Sequence, residues 1–413
     1  MTAVRWLMAL VLVATAGMPP TPAAVRPPDL RPGPRAALAP SGPRQAGARL
    51  LVRTGQRAPG GATFTGFSDP SVNNHGVVVF GAVTTNPAAH EAVYLLEEDR
   101  LTTLVATGQP APTGGRFSAF SDMVLNDRGS VIFLGRTTDR IARLGLYLAR
   151  AGVLAIIVAT GQAVPSGGAF TDFANPTINN RDVVAFVGRM TGRGGEGIFA
   201  SSEGSTTALV VGGQAAPTGG AFQFFLDGTP AQNDRGQIAF VASTTARSTQ
   251  GVYLLTGGRT IPVVTTENDA PVAGAFTEFG FVMLSDAGTI GFIGRTAHSA
   301  VHEALYVTGR AGLVPLARQG EVVEGRPLTT FTNAAMNARE EVVFEPGTPD
   351  PNPRAVYLAT RSGVRPIAQA GDPAPGGGRF TAFSTPSLNA LGQVAFVAET
   401  DDGHHGIYLV STR

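Results

Sequence analysis

The stretch NDRGQIAF, Asn233 to Phe240, sets an amide, a carboxylate and a guanidinium beside a glycine and invites a catalytic reading. It is not unique. NDRGSVIF runs from Asn126 to Phe133, and counterparts begin at Asn73 (NNHGVVVF), Asn179 (NNRDVVAF), Ser285 (SDAGTIGF), Asn337 (NAREEVVF) and Asn389 (NALGQVAF). The successive spacings are 53, 53, 54, 52, 52 and 52 residues, so the chain holds seven copies of one unit. A phrase that returns in register describes a scaffold. Asn or Ser with Gly three residues later marks a type I turn, because the short side chain bonds back to the backbone and Gly accepts a positive φ. Asp127, Arg128, Asp234 and Arg235 are therefore read as turn residues. Asp182 and Glu340 replace the Gly in the third and sixth units, which predicts either modest strain or a different turn geometry there.

Outward from this turn, each unit offers four short extended pieces, seen in the last unit as FSTPSLN, GQVAFVA and GIYL, the fourth being typified by VRPIAQAG at 364–371. The apolar run GQVAFVA has no helical spacing and suits a strand covered on both faces. Four strands in each of seven units predict an all-β fold, a seven-bladed β-propeller of four-stranded blades. The final GIYLVSTR has no fourth strand after it, whereas ARLLVRTGQRAP at 48–59 is a fourth-strand phrase with no partners before it. The ring is thus expected to close through the N-terminal strand, which removes open edges. Recurring pairs such as Phe64/Phe67, Phe117/Phe120, Phe170/Phe173, Phe276/Phe279 and Phe380/Phe383 are assigned to the core between blades.

Composition agrees with a turn-dense strand protein: 413 residues contain 53 Gly and 30 Pro, and only 15% are charged. A net charge of +1 gives no drive toward nucleic acid or an anionic membrane. With no cysteine there is no disulfide, thiolate metal site or cysteine nucleophile. Met1 to Arg5, the apolar run Trp6 to Gly17 and the small residues after it have the layout of a secretory signal, too short to span a bilayer. The expected organisation is a signal at 1–24, a Pro/Ala/Arg-rich linker at 25–47 and the propeller at 48–413.

From about residue 48 onward the chain resembles bacterial exported proteins with tandem repeats of the NxxGxxAF type, a pattern that stands here as NDRGQIAF and NALGQVAF. The resemblance implies a propeller-like repeat protein of unassigned activity and supplies no catalytic residue. Members of such families often end in a surface-anchoring tail, whereas this sequence stops at Ser411-Thr412-Arg413, so free secretion or periplasmic residence is expected in place of anchoring.

Function in a propeller comes from what breaks the repeat. Loops joining the second and third strands, and those joining the fourth strand to the next blade, are expected on one face and vary in sequence. They carry His90, His298, His302, His404 and His405. His90-Glu91 and His302-Glu303 open an identical HEA, but Tyr94 and Tyr306 occupy the place where a zinc-protease motif needs its second His. Arg136, Arg189 and Arg295 each follow the repeat Phe by three residues and could fork onto carboxylates or sulfates. The sequence GRGGEG at 192–197 spells a dinucleotide fingerprint, yet lies between strands with no helix to follow. The leading expectation is a monomeric, non-catalytic propeller that binds a glycan or protein through this face. It uses Arg136, Arg189, Arg295, His90, His298, His302 and His404, with no metal or cofactor. Two alternatives stand: a polysaccharide lyase or hydrolase with a loop His as general base, and a structural surface or matrix component.

Overall fold

The protein is described from a computed structural model over residues 47–192, 194–226, 230–246, 250–272, 274–298, 301–310, 312–347 and 355–413. The expected signal segment and all but the last residue of the linker lie outside the described residues. Within them the chain is all strand and turn, in seven antiparallel blades at 64–106, 117–159, 170–211, 222–265, 276–318, 330–369 and 380–411. The first strands of neighbouring blades touch each other all the way round, so they form the innermost layer about the axis. The N-terminal strand Ala48–Arg53 pairs antiparallel with His405–Ser411, from Ala48 opposite Val410 to Arg53 opposite Gly406, and becomes the fourth strand of blade 7. Head and tail of the chain share one sheet.

The core lies between blades. The valines Val79, Val93 and Val105 of blade 1 pack on Phe117, Phe120, Phe133 and Tyr147 of blade 2. Within that aromatic group Phe117 meets Tyr147 edge-on at 4.9 Å, and Phe133 stacks on the same ring at 5.6 Å. Gly135 makes room for it: a Cβ there would sit 2.9 Å from both Phe117 and Tyr147. Blade 6 departs from the pattern by placing buried Leu328 where the other blades have the first Phe. In blades 1, 4 and 7 the first strand is interrupted before the repeat turn, whereas in blades 2, 3, 5 and 6 it is continuous.

The repeated turn explains its own sequence. In NDRG, Asn126 Oδ1 accepts from the backbone N–H groups of Arg128 and Ser130, while its Nδ2 donates 2.8 Å to the carbonyl of Asn179 in the next blade. The amide shapes its own turn with one end and holds its neighbour with the other. Six such links, 2.8–3.2 Å long, run from Asn73, Asn126, Asn179, Asn233, Asn337 and Asn389. Ser285 keeps the first function, accepting from Thr289 N–H, but is too short for the second. Between blades 5 and 6 the tie is Thr289 Oγ1 donating to Glu340 instead. One position further on, a second belt forms: Asn74, Asp127, Asn180 and Asp234 each donate a backbone N–H to the side chain at the equivalent place in the following blade.

Asp182 and Glu340 adopt φ of 60° and 62° in place of Gly, which confirms the expected strain, and their side chains recover it. Asp182 accepts from Asn126 Nδ2 at 2.8 Å and pairs with Arg150 at 2.8 Å and Arg128 at 3.5 Å. Partial burial alone would raise this carboxyl, but the hydrogen bonds and two guanidiniums hold it below the usual aspartate range. A depressed folded pKa contributes stability that is present above the unfolded value, about 3.9, and is lost as pH falls through the folded one. The gap in thermal midpoint between wild type and Asp182→Asn should therefore be widest near pH 7 and shrink below about pH 4. A gap independent of pH would show that the carboxylate charge contributes nothing.

Candidate functional site

The two ends of the axis differ in kind. At the turn end, the repeat Asn residues and their neighbours surround a cavity of about 200 Å³. Most of its polar groups are committed to the two belts just described, so NDRG is scaffold. Arg128 pairs with Asp182, and Arg235 donates to the carbonyl of Ala287 in the next blade.

At the opposite end, the second-to-third-strand loops hydrogen-bond to the connections that enter each blade. Arg116 N–H donates to Thr138 Oγ1, and Thr138 N–H donates to the carbonyl of Arg116. The two loop sets form one face, as the sequence predicts. The TGQ position is spent on turns: Gln109, Gln162, Gln214, Glu321 and Asp372 each accept from a backbone N–H three residues earlier. In blade 4 Asn268, and not the neighbouring Glu267, has this function. Glu321 and Asp372, acids where the earlier blades have Gln, therefore cap turns.

Both HEA phrases resolve the same way. Glu91 accepts from Phe120 N–H at 3.0 Å and Glu303 from Phe331 N–H at 2.8 Å, each across a blade boundary, and Gln250 does the same for Phe279 at 2.9 Å. These side chains fasten the loop end as the Asn residues fasten the other. His302 Nδ1 lies 2.9 Å from the carbonyl of Thr296, which only an N–H can approach, so that nitrogen carries the proton. His90 Nδ1 sits 3.4 Å from Thr107 Oγ1 and His404 Nδ1 3.3 Å from Thr54 Oγ1. His298 accepts from Val301 N–H at 3.3 Å. The four are distributed over blades 1, 5 and 7. Among the described residues no group of three His, Asp or Glu side chains converges at metal-binding distance.

The arginines share one register position but have different surroundings. Arg136 lies between Ala119 and Leu144 on the flanking strands, is exposed, and has no ion-pair or hydrogen-bond partner among the described residues. Arg189 sits between Asp172 (3.6 Å) and Glu196 (3.9 Å). Arg295 is clamped by Glu278 at 2.7 Å and by Glu303, whose side chain is 2% exposed, at 3.0 Å. The Glu278 hydrogen bond is the main reason that the Arg295 guanidinium holds its proton even more firmly than an ordinary arginine. Next to this clamp a crevice of about 160 Å³ opens between blades 5 and 6, with Phe281 and Phe331 in its wall.

Sequence reasoning missed the exposed apolar groups. Val83, Ile141, Phe224 and Val322 project from the loop face, 42–73% exposed. Phe224 is the most informative. It occupies the first-strand position held by Asp172 in blade 3 and Glu278 in blade 5, and two extra residues before Asn233 had hidden that alignment.

No curated protein sequence matches the chain. Among solved structures the fold resembles a Mycobacterium tuberculosis puromycin-hydrolyzing peptidase, at 16% identity and TM-score 0.52 over 84% of this chain and 52% of that one. The chain therefore spans about half the length of that peptidase. It also resembles the polysaccharide lyase Uly1 (10% identity, TM-score 0.49, 83% and 89% of the two chains) and the Aleuria aurantia lectin (10%, 0.38, 73% and 94%). At these identities the likeness is one of fold. A family model covers residues 34–196 and 245–411, and on that match the chain belongs to the family of unknown function DUF7453.

Proposed function

We propose that this chain is an exported binding propeller that holds a glycan or protein ligand on its loop face and does no chemistry on it. The observation that carries the reading is the contrast between the two axial ends. At the turn end the repeat residues are occupied in joining blades. On the loop face stand Arg136, whose side chain has no partner among the described residues, and the exposed apolar groups Val83, Ile141, Phe224 and Val322. Exposed apolar groups rimmed by charge on a rigid scaffold are what a recognition surface needs. The layout of residues 1–24 supports export to the periplasm or medium.

The test uses arrays of printed glycans and of envelope proteins. The variant Val83→Glu/Ile141→Glu/Val322→Glu should lose at least ten-fold in affinity for whatever the wild type captures. Leu391→Glu, which changes an exposed apolar residue in a turn at the other end, should bind like wild type. The reverse pattern would move the ligand to the turn end. Turnover of a captured polysaccharide would reject the non-catalytic part.

A further inference from the structure

Three consecutive blades bring different chemistry to one register position at the loop end of the innermost layer. Blade 4 supplies Phe224, a phenyl ring 64% exposed whose backbone N–H is tied to Ser243 Oγ. At the equivalent places blade 3 supplies Asp172 with its Arg189–Glu196 partners, and blade 5 supplies Glu278 with Arg295–Glu303. An isolated aromatic of this size is costly to leave in water, and here it is flanked on both sides by oriented hydrogen-bonding forks.

From this arrangement we propose that Phe224, with the Asp172–Arg189 and Glu278–Arg295 pairs beside it, forms a binding site for neutral pyranose oligosaccharides. The proposal rests on the loop-face reading above and names the ligand class for it. A pyranose offers an apolar C–H face and a rim of hydroxyls. The face covers the phenyl ring, while hydroxyl protons go to the carboxylates and hydroxyl oxygens accept from the guanidiniums. The ion pairs fix each fork before the ligand arrives, which lowers the ordering cost of binding.

Charge selects among sugars. Among the described residues the ion-pair partners of Asp172, Glu278 and Glu303 are Arg189 and Arg295, so these three carboxylates stand against two guanidiniums. A uronate or sulfate would meet a net negative surface whose arginines are already neutralised. A neutral sugar meets no such penalty.

The crevice beside Glu278 extends the site. Its 160 Å³ is well under the roughly 300 Å³ at which pockets for whole drug-sized ligands begin, so it suits a single ring. Phe281 in its wall has φ of 30°, at a position where Asp122, Asn175 and Asn333 adopt the same left-handed conformation in other blades. Asp and Asn tolerate that conformation and Phe does not, so its ring is held at the crevice against a local backbone cost. A chain of sugars would lay one ring on Phe224 and the next into the crevice.

Isothermal titration of the purified protein with cellohexaose, laminarihexaose, mannohexaose and hexagalacturonate tests the proposal. At least one neutral hexaose should bind, Phe224→Ala should weaken it ten-fold or more, and Glu278→Gln three-fold or more. Phe224→Trp should retain binding, and thermal midpoints should stay close to wild type because Phe224 is exposed. Preference for hexagalacturonate would overturn the charge argument. Neutral binding that Phe224→Ala leaves intact would overturn the site while leaving the loop face as the binding surface. Failure of all four sugars to bind would overturn the glycan assignment, and protein capture that the triple loop-face variant abolishes would still uphold the broader reading.

Discussion

A chain lacking Ala48–Arg53 is expected to have no cooperative thermal transition at all. The strand is the fourth of blade 7, and its Leu51 and Val52 are 7% and 0% exposed. Burying two such side chains contributes about 4 kcal/mol together, and the lost ladder with His405–Ser411 adds about 0.5–1.5 kcal/mol per hydrogen bond. The sum is comparable to the whole stability of a domain, about 5–15 kcal/mol. The strand His405–Ser411 would also become an open edge, so the truncated chain should elute as aggregate on gel filtration. Scanning calorimetry decides the matter: an unchanged midpoint would mean that the ring does not depend on this closure.

Replacing Asn126 by Ala should cost about 3 kcal/mol, the largest effect expected from a single polar substitution here. Asn126 is 4% exposed and makes four hydrogen bonds: two to its own turn, one to the Asn179 carbonyl and one to Asp182. Truncation leaves the buried Ser130 N–H and the part-buried Arg128 N–H without these partners and takes one of two donors from the Asn179 carbonyl, which keeps only the Asp182 N–H. Asn126→Asp should be no milder, because it sets a carboxylate against that carbonyl and Asp182. Ser285 makes the internal control, since it has no link to the next blade and Ser285→Ala should cost only about 1 kcal/mol. Urea unfolding of the three variants measures all of these. Equal losses at Asn126 and Ser285 would show that the inter-blade amide link adds nothing.

The scaffold was legible in the sequence because seven copies of one unit average out local ambiguity. The spacing of the repeat Asn named the blades, and the unmatched phrase at 48–59 named the closing strand. What the repeat could not reveal is which side chains are already committed. Arg136, Arg189 and Arg295 look equivalent along the chain, yet two are held by carboxylates that approach from neighbouring strands while the Arg136 side chain has no such partner among the described residues. The glutamates of the two HEA phrases looked like chemistry and are fasteners, because the N–H groups they hold, Phe120 and Phe331, are 29 and 28 residues away in sequence. Phe224 escaped notice for a related reason: the two-residue insertion of blade 4 broke the alignment that would have set it beside Asp172 and Glu278. Patterns expose what repeats, whereas function sits where pattern is lost.

The substitution of Ser285 for Asn makes the seven-fold ring unequal to itself. Six boundaries are riveted at the axis by a neutral amide, while at the boundary of blades 5 and 6 that place is taken by a side-chain acid, Glu340. A hoop with one fastening of a different material yields there first. Acid, which leaves amides untouched, should act on that joint as a key acts on a clasp, opening the wheel beside the crevice that holds Phe281.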